Sequence, residues 1–148
     1  MFPLQKPNEF KLGDLYVGQE VSFPQELPEP VTPEMQELFL KLTGDNSPCH
    51  VDETFAVGKG FKGKLVYGML TASFYSTLVG VYLPGKYALF QEAHIDFCSP
   101  VYVGDALTVK GKITEIDPVL KRIYIKAEIR NQAGKRVSKA SLAVGLTE

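Results

Sequence analysis

Asp45 and His50 are the residues of this sequence whose types and spacing most directly suggest chemistry. They lie in a stretch that reads FLKLTGDNSPCHVDETFA, and Pro48 stands between them. An amphipathic pattern typical of a helix ends at Gly44, so both side chains belong to the stiffened loop that follows. A carboxylate and an imidazole in such a loop can hold a water molecule and exchange a proton near neutral pH. From this pair alone, a turn-forming aspartate and a surface histidine remain the more common interpretation.

The composition limits the classes of protein to which the chain can belong. Its 148 residues are most simply one domain, covering residues 1–148. A hydrophobic content of 45% and a charged content of 22% are typical of a soluble globular protein. The net charge of −1, with acids and bases intermixed, argues against nucleic acid or an anionic membrane as a partner. Two cysteines and an N-terminus without a signal-peptide pattern lead us to expect a cytoplasmic protein.

An uncharged run from residue 65 to residue 85 predicts a buried helix. Its helical part, roughly Gly68 to Leu83, is short for a membrane span and is followed by strand-like sequence. A helix that is apolar on all sides is also typical of a protein core, so we prefer this interpretation to a transmembrane helix. Phe74 and Tyr75 are expected in the core, with the lining of an acyl tunnel as the alternative.

The elements before this helix begin and end at recognisable signals. Residues 20–27 predict a first strand that ends at Pro28 and Pro30. Thr32 and Pro33 then predict a helix start, with threonine as N-cap and proline in the first helical position. The apolar face of this helix consists of Met35, Leu38, Phe39 and Leu42.

From Ala88 onward the sequence alternates apolar and polar residues with the period of a β-strand. Turn residues at Asp117-Pro118 and at 131–134 separate the alternating segments, which predicts an antiparallel meander with one buried face. A helix without a polar face must be covered on all sides, so the sheet has to curl around it. The predicted class is therefore α+β, an antiparallel sheet wrapped around a central buried helix, which is the outline of a hot-dog fold. One sheet cannot cover the whole helix, so we expect a homodimer or a higher homo-oligomer.

The stretch from Phe39 to Ala56 resembles the signature of the MaoC-like (R)-specific enoyl-CoA hydratases. The residues in register with that signature are Phe39, Leu42, Thr43, Gly44, Asp45, Pro48, His50 and Ala56. The chain departs from it at Ser47, where the family usually has asparagine, and at Cys49, where an aliphatic residue is usual. Weaker similarities follow at Gly68-Met69-Leu70, where Tyr67 replaces a frequent histidine, and at Phe97, Pro100-Val101 and Gly104-Asp105.

This resemblance implies a lyase of fatty acid metabolism that hydrates trans-2-enoyl-CoA reversibly to (R)-3-hydroxyacyl-CoA. Asp45 would be the general base, and His50 would hold the same water molecule. Gly68, at the start of the central helix, would offer its N–H to the thioester carbonyl. Ser76 aligns with a family position that hydrogen-bonds the catalytic aspartate, and Tyr67 and Pro48 would support the substrate site. The resemblance implies acyl-CoA as the substrate and no cofactor.

Several alternatives stay open at this stage. On the same fold the chain could be an acyl-CoA thioesterase, a 3-hydroxyacyl-ACP dehydratase or a non-catalytic acyl-CoA-binding module. Cys49 and His50, together with His94 and Cys98, raise the question of zinc, but we expect no metal because CxxC and HExxH motifs are absent. His94 is instead predicted to be a strand residue at an interface.

Overall fold

An antiparallel sheet forms the larger part of the fold in the computed structural model, which describes residues 4–26, 28 and 30–148. Its strands are β1 (Glu20–Phe23), β2 (Ala88–Phe97), β3 (Thr108–Asp117), β4 (Arg122–Arg130) and β5 (Arg136–Leu146). They lie in the order β1-β3-β4-β5-β2, and every neighbouring pair is antiparallel. The predicted meander is thus confirmed for β3, β4 and β5, while β2 crosses to the far side of β5.

Strand β1 is shorter than the sequence suggested. It ends at Phe23 because Pro24 has no N–H with which to continue the ladder to β3. The predicted extension is therefore wrong for residues 24–26, and Leu27 lies outside the described residues.

Five α-helices, one tighter 3-10 turn and one wider π-helical turn make up the helical part of the described chain. They are a 3-10 turn (Leu12–Asp14), α1 (Pro33–Thr43), α2 (Pro48–Val51), α3 (Glu53–Gly58), α4 (Gly68–Ala72), α5 (Phe74–Thr77) and a π-helical turn (Leu78–Tyr82). Residues 68–82 form one continuous run, which we call the central helix. Its extent agrees with the uncharged segment of the sequence, and no helix among the described residues combines the length and apolarity that a bilayer crossing requires.

Helix α1 begins and ends as its sequence predicts. The Thr32 hydroxyl accepts a hydrogen bond from the Met35 N–H at 3.3 Å, and Pro33 occupies the first helical position. At the other end, Gly44 adopts a left-handed conformation with φ 73° and donates its N–H to the Leu40 carbonyl. This sharp stop directs the following loop away from the helix axis.

The core lies between the concave face of the sheet and the central helix. Leu78 of the π-helical turn is fully buried and belongs to the same hydrophobic cluster as Ile113, Ile123, Ile125 and Ile129 of the sheet, all at most 1% exposed. Gly111 of β3 allows this close packing, since a Cβ atom there would lie 2.8 Å from Leu78 Cδ2. The predicted arrangement of a sheet around a helix is therefore confirmed.

One stripe of the central helix is left uncovered within the single chain. Met69, Ser73, Ser76 and Gly80 are exposed and recur at helical spacing. The prediction of a helix buried on all sides is thus confirmed where the central helix faces the sheet. It is wrong, within the single chain, for this exposed stripe. Strand β2, at the edge of the sheet, is also exposed along most of its length.

Candidate active site

Asp45 is held in place by its own loop. Its N–H donates to the Thr43 hydroxyl at 3.2 Å, and its Oδ1 accepts the Ser47 N–H at 3.1 Å. This local turn is what an aspartate after a helix commonly forms. The Ser47 N–H, then the Ser47 hydroxyl and to a smaller extent His50, hold the pKa of Asp45 below its ordinary value. The side chain is exposed and is therefore an ionised acceptor at neutral pH.

His50 lies in α2 with a defined tautomer. Its Nδ1 is 2.9 Å from the Leu65 carbonyl oxygen, which can only accept a hydrogen bond, so Nδ1 carries a proton. With the proton on Nδ1, the lone pair of Nε2 can act as a hydrogen-bond acceptor toward the cavity. The ring stacks on Tyr67 with 4.2 Å between centroids, which fixes its plane.

Tyr67 connects the two members of the pair. Its hydroxyl donates to the backbone carbonyl of Asp45 at 2.6 Å, while its ring lies against His50. The residue is buried, and burial followed by the Asp45 charge raises the pKa of its phenol, so the hydroxyl remains a donor. Tyr67 therefore positions the loop of Asp45 and the ring of His50 through a single side chain.

Gln36 is a positioning residue that the sequence did not single out. Its Oε1 accepts the Tyr67 N–H at 3.1 Å, and its Nε2 donates to the Leu65 carbonyl at 3.0 Å. That carbonyl is the same one that orients His50. The sequence carries only a weak indication of this role. Gln36 is a polar residue three positions before Phe39, so both lie on the same face of α1.

Two adjoining cavities meet at this group. The first, which we call the dyad cavity, has a volume of about 350 Å³ and is lined by Phe39, Thr43, Asp45, His50, Tyr67, Gly68, Met69 and Phe97. The second, the inner cavity, has about 330 Å³ and shares His50, Gly68 and Phe97 with the first. A third and larger groove of about 600 Å³ contains neither Asp45 nor His50 and is lined by charged side chains of the sheet, including His94.

Gly68 brings a backbone donor to the boundary between the two cavities. It is the first residue of the central helix, and the earliest helical bond runs from the Thr71 N–H to the Tyr67 carbonyl. The Gly68 N–H consequently has no partner inside the helix. A Cβ atom at this position would lie 3.1 Å from Cε1 of Phe97, so glycine keeps the approach to this N–H open.

The remaining residues singled out from the sequence lie elsewhere. Pro48 is exposed and begins α2, which places it beside the dyad cavity without lining it. Ser76 is exposed on the central helix, and no hydrogen bond joins its side chain to Asp45 in the part of the chain that the structure describes. Cys49 contributes its carbonyl to the Leu65 N–H, and His94 lies on β2 near Asp96.

Comparison with known proteins agrees with this architecture. The family model described as MaoC like domain matches residues 16–135, so the chain belongs to the MaoC-like family. It is 34% identical over 107 residues to an (R)-specific enoyl-CoA hydratase of Rhodospirillum rubrum, a match that covers 72% of this chain and 74% of that protein.

A second relative, the mitochondrial 3-hydroxyacyl-[acyl-carrier-protein] dehydratase FERN of Solanum lycopersicum, is 33% identical over 60% of this chain and 52% of its own length. Among solved structures, the unliganded R-hydratase PhaJ1 of Pseudomonas aeruginosa superposes with a TM-score of 0.86 at 26% identity, covering 97% of this chain and 90% of that one. The predicted family and the hot-dog fold are confirmed.

Proposed function

We propose that this protein hydrates trans-2-enoyl thioesters to (R)-3-hydroxyacyl thioesters and catalyses the reverse dehydration. The observation that carries the proposal is the shared cavity of an ionised Asp45, an oriented His50 and the N–H of Gly68. Relatives that carry (R)-specific enoyl-CoA hydratase names support the reaction class.

The chemistry assigns one task to each group. A water oxygen bonds to C3 of the enoyl group while Asp45 accepts a proton from that water as general base. His50 holds the same water by accepting a hydrogen bond at Nε2, and the proton that Asp45 has taken up is then delivered to C2, which returns Asp45 to its ionised form. Negative charge develops on the thioester oxygen, where the N–H of Gly68 at the start of the helix would stabilise it. The added water is thereby split between C2 and C3, and no other reactant is consumed.

Three further residues support these groups in the proposal. Tyr67 holds the loop of Asp45 and the ring of His50, and Pro48 starts the short helix that carries His50. Ser76 lies two helical turns beyond Gly68 and faces away from the sheet. The hydrogen bond to Asp45 that the resemblance implies for Ser76 is not formed within the described chain, and we propose that it forms across the dimer.

A homodimer would cover the surfaces that the single chain leaves exposed. Strand β2 is an edge strand of ten residues, and Leu89 and Phe97 on it are 52% and 53% exposed. Long apolar edge strands pair readily with another copy. Sedimentation velocity should show a dimer for the wild type and monomer for Leu89→Glu. Leu120→Glu, a change of the same kind at an exposed turn, should leave the dimer intact. A wild type that stays monomeric at high concentration would refute the dimer.

We propose a CoA thioester as the substrate, because the relative matched over the larger share of this chain carries a CoA name. The carrier-protein dehydratase of tomato favours the second candidate, a thioester of an acyl-carrier protein. The two are distinguished by comparing kcat/KM for crotonyl-CoA and for the crotonyl thioester of a carrier protein. A higher value for the carrier-bound substrate would favour the second candidate.

The reaction is tested by following the enoyl absorbance of crotonyl-CoA. The wild type should consume it and give the (R)-3-hydroxy product, whereas Asp45→Asn and His50→Ala should each lose roughly 10²- to 10⁴-fold in kcat. Asp52→Asn is the matched control for Asp45→Asn, since Asp52 caps α3 and asparagine caps equally well.

Each competing function has its own outcome in this assay. Free thiol released from crotonyl-CoA would indicate a thioesterase. An inert wild type that still binds the substrate, with unchanged binding in the dyad variants, would indicate a non-catalytic module. Dyad variants as fast as the wild type would refute the assigned roles.

A further inference from the structure

The outer face of the sheet carries a groove with more positive than negative charge. We call it the outer groove, and its volume is about 600 Å³. Lys112 and Lys126 line it and are neighbours in sequence of the buried Ile113 and Ile125, so the groove lies on the face of the sheet away from the core. Five lysine or arginine side chains and three carboxylates line the groove, an excess of two positive charges. The proposed reaction gives this charge no role.

The carboxylates of the outer groove are already paired. Each forms an ion pair with a neighbouring cation, and the pairs are Glu20–Lys110, Asp96–Lys139 and Glu128–Arg130. Three cations of the groove, Lys112, Lys126 and Arg136, form no ion pair within the described residues. All three side chains are exposed and therefore accessible to a ligand.

Two of these cations face each other across the sheet. Lys112 of β3 is directly opposite Lys126 of β4, and like charges in this position destabilise a sheet. Lys126 Nζ also donates to the Ser141 hydroxyl at 2.6 Å, which holds the ammonium group over β5. An anion between the two lysines would replace their repulsion with attraction, and phosphate oxygens are strong acceptors for such donors. The volume of the groove is that of a small-molecule site.

The outer groove lies beside the opening of the inner cavity. Cys98 and Val137 line the inner cavity, and Cys98 is exposed, so the cavity meets solvent at the end of β2. The Cys98 N–H donates to the Val137 carbonyl at 2.8 Å. Arg136, the residue before Val137, lines the outer groove. One residue of β5 therefore separates the two sites.

A coenzyme A thioester has the dimensions to occupy both sites. Its pantetheine arm spans ~16 Å between the sulfur and the first phosphate when extended. Phe97 lies against Gly68 and is opposite Ser138 in the register of β2 with β5. From there Arg136 is one strand spacing across and two residues along, or ~8 Å away. The arm is thus long enough to pass the end of β2 and bring the phosphates to Arg136.

We propose that the outer groove binds the phosphate groups at the nucleotide end of coenzyme A, and that Lys112, Lys126 and Arg136 are their ligands. The inference rests on the proposed function for the location of the thioester. It gives the outer face of the sheet a part in the affinity for the substrate, separate from Asp45, His50 and the Gly68 N–H. It also favours a CoA thioester over a carrier-protein thioester, which has no nucleotide.

The test combines Lys112→Gln with Lys126→Gln in one variant. Calorimetric titration should show that the wild type binds adenosine 3′,5′-bisphosphate and CoA, more weakly as NaCl is added. The double variant should bind both roughly tenfold more weakly, the combined effect of two exposed charges. Lys6→Gln/Lys41→Gln is the matched control, because it removes the same charge at residues that line none of the three cavities.

Two further readouts separate binding of the phosphates from other effects. The KM for crotonyl-CoA should rise roughly tenfold in the double variant with kcat unchanged, whereas the KM for crotonyl-pantetheine, which has no phosphate, should stay at the wild-type value. The double variant should also melt no lower than the wild type, because it removes a like-charged pair.

The inference is overturned if the wild type does not bind adenosine 3′,5′-bisphosphate at low salt, or if the double variant binds it as tightly. An equal rise in KM for both thioesters, or a lower Tm of the double variant, would also overturn it, since the lysines would then act on the fold. A protein that leaves crotonyl-CoA unchanged but binds CoA through these lysines would contradict the proposed function alone.

Discussion

Removing the hydroxyl of Tyr67 tests whether one side chain sets the geometry of the dyad. Tyr67→Phe keeps the ring that stacks on His50 and on Phe39, and keeps the backbone bond to Gln36. It removes the hydrogen bond from the hydroxyl to the Asp45 carbonyl. The change therefore isolates the one link between the ring and the loop that carries the carboxylate.

The expected losses in stability and in rate differ in size. A neutral hydrogen bond contributes ~0.5–1.5 kcal/mol to folding, and because Asp45 is exposed its freed carbonyl can bind water. We therefore expect a loss of about 1 kcal/mol, or ~2–4 °C in Tm for a domain of this size. A displacement of a reacting group by ~1 Å can cost ~10²-fold in rate, so kcat should fall by roughly 10- to 100-fold with little change in KM.

Crotonyl-CoA hydration and thermal unfolding measure the two effects, and Tyr75→Phe is the matched control. The Tyr75 hydroxyl donates to the Ser138 hydroxyl at 2.9 Å in the core, and burial raises the pKa of Tyr75 to about 12. The control should lose at least as much stability as Tyr67→Phe and keep the wild-type kcat. If Tyr67→Phe has the kcat of the wild type, or if both variants lose kcat by the same factor, the Tyr67 hydroxyl does not set the geometry of Asp45 and His50.

Three further substitutions test separate parts of the account. Ser47→Ala removes one of the hydrogen bonds that lower the pKa of Asp45, so in a pH–rate profile the acid limb of kcat/KM should move to higher pH with the rate at pH 7 unchanged. If the acid limb of the profile stays at the same pH in Ser47→Ala, Asp45 is not the group whose titration produces that limb. Gly68→Ala places a Cβ atom 3.1 Å from an aromatic ring at the cavity boundary, and kcat/KM should fall by roughly tenfold or more while Tm holds, since alanine favours a helix by ~0.5–1 kcal/mol. If Gly68→Ala instead lowers Tm and leaves kcat/KM unchanged, the added Cβ atom disturbs the fold and not the approach of the substrate. Gly111→Ala places a Cβ atom 2.8 Å from Leu78 Cδ2, and urea unfolding should show a loss of ~1–3 kcal/mol that Leu78→Ala partly relieves in the double variant. Strictly additive losses would show that the two sites do not clash.

The features predicted correctly from the sequence are those with a local signal. The start of α1 follows from Thr32 and Pro33, and the start of the central helix from the helical part of an uncharged run, which begins at Gly68. The loop that carries Asp45 follows from a helix that stops at Gly44, whereas the prediction that His50 lies in the same loop is wrong, because Pro48 starts the short helix α2. Each of these depends on neighbours within one or two turns, where residue types act directly on the backbone.

The features that escaped prediction depend on contacts between distant segments. The Gln36 bond to the Tyr67 N–H joins residues 31 positions apart, and periodicity carries no trace of it. Burial of the Thr71 hydroxyl without a hydrogen-bond partner among the described residues is likewise a property of the folded core. The apolar face of α1 was predicted, yet Leu42 is 81% exposed, so the pattern reflects a surface that the single chain does not bury.

The most direct test of the central claim is a crystal structure of Asp45→Asn with (R)-3-hydroxybutyryl-CoA bound. We expect the 3-hydroxyl oxygen within ~2.6–3.2 Å of both the residue 45 side chain and His50 Nε2, and the thioester oxygen at the Gly68 N–H. A bound product whose 3-hydroxyl contacts neither side chain would contradict the claim that Asp45 and His50 hold the reacting water.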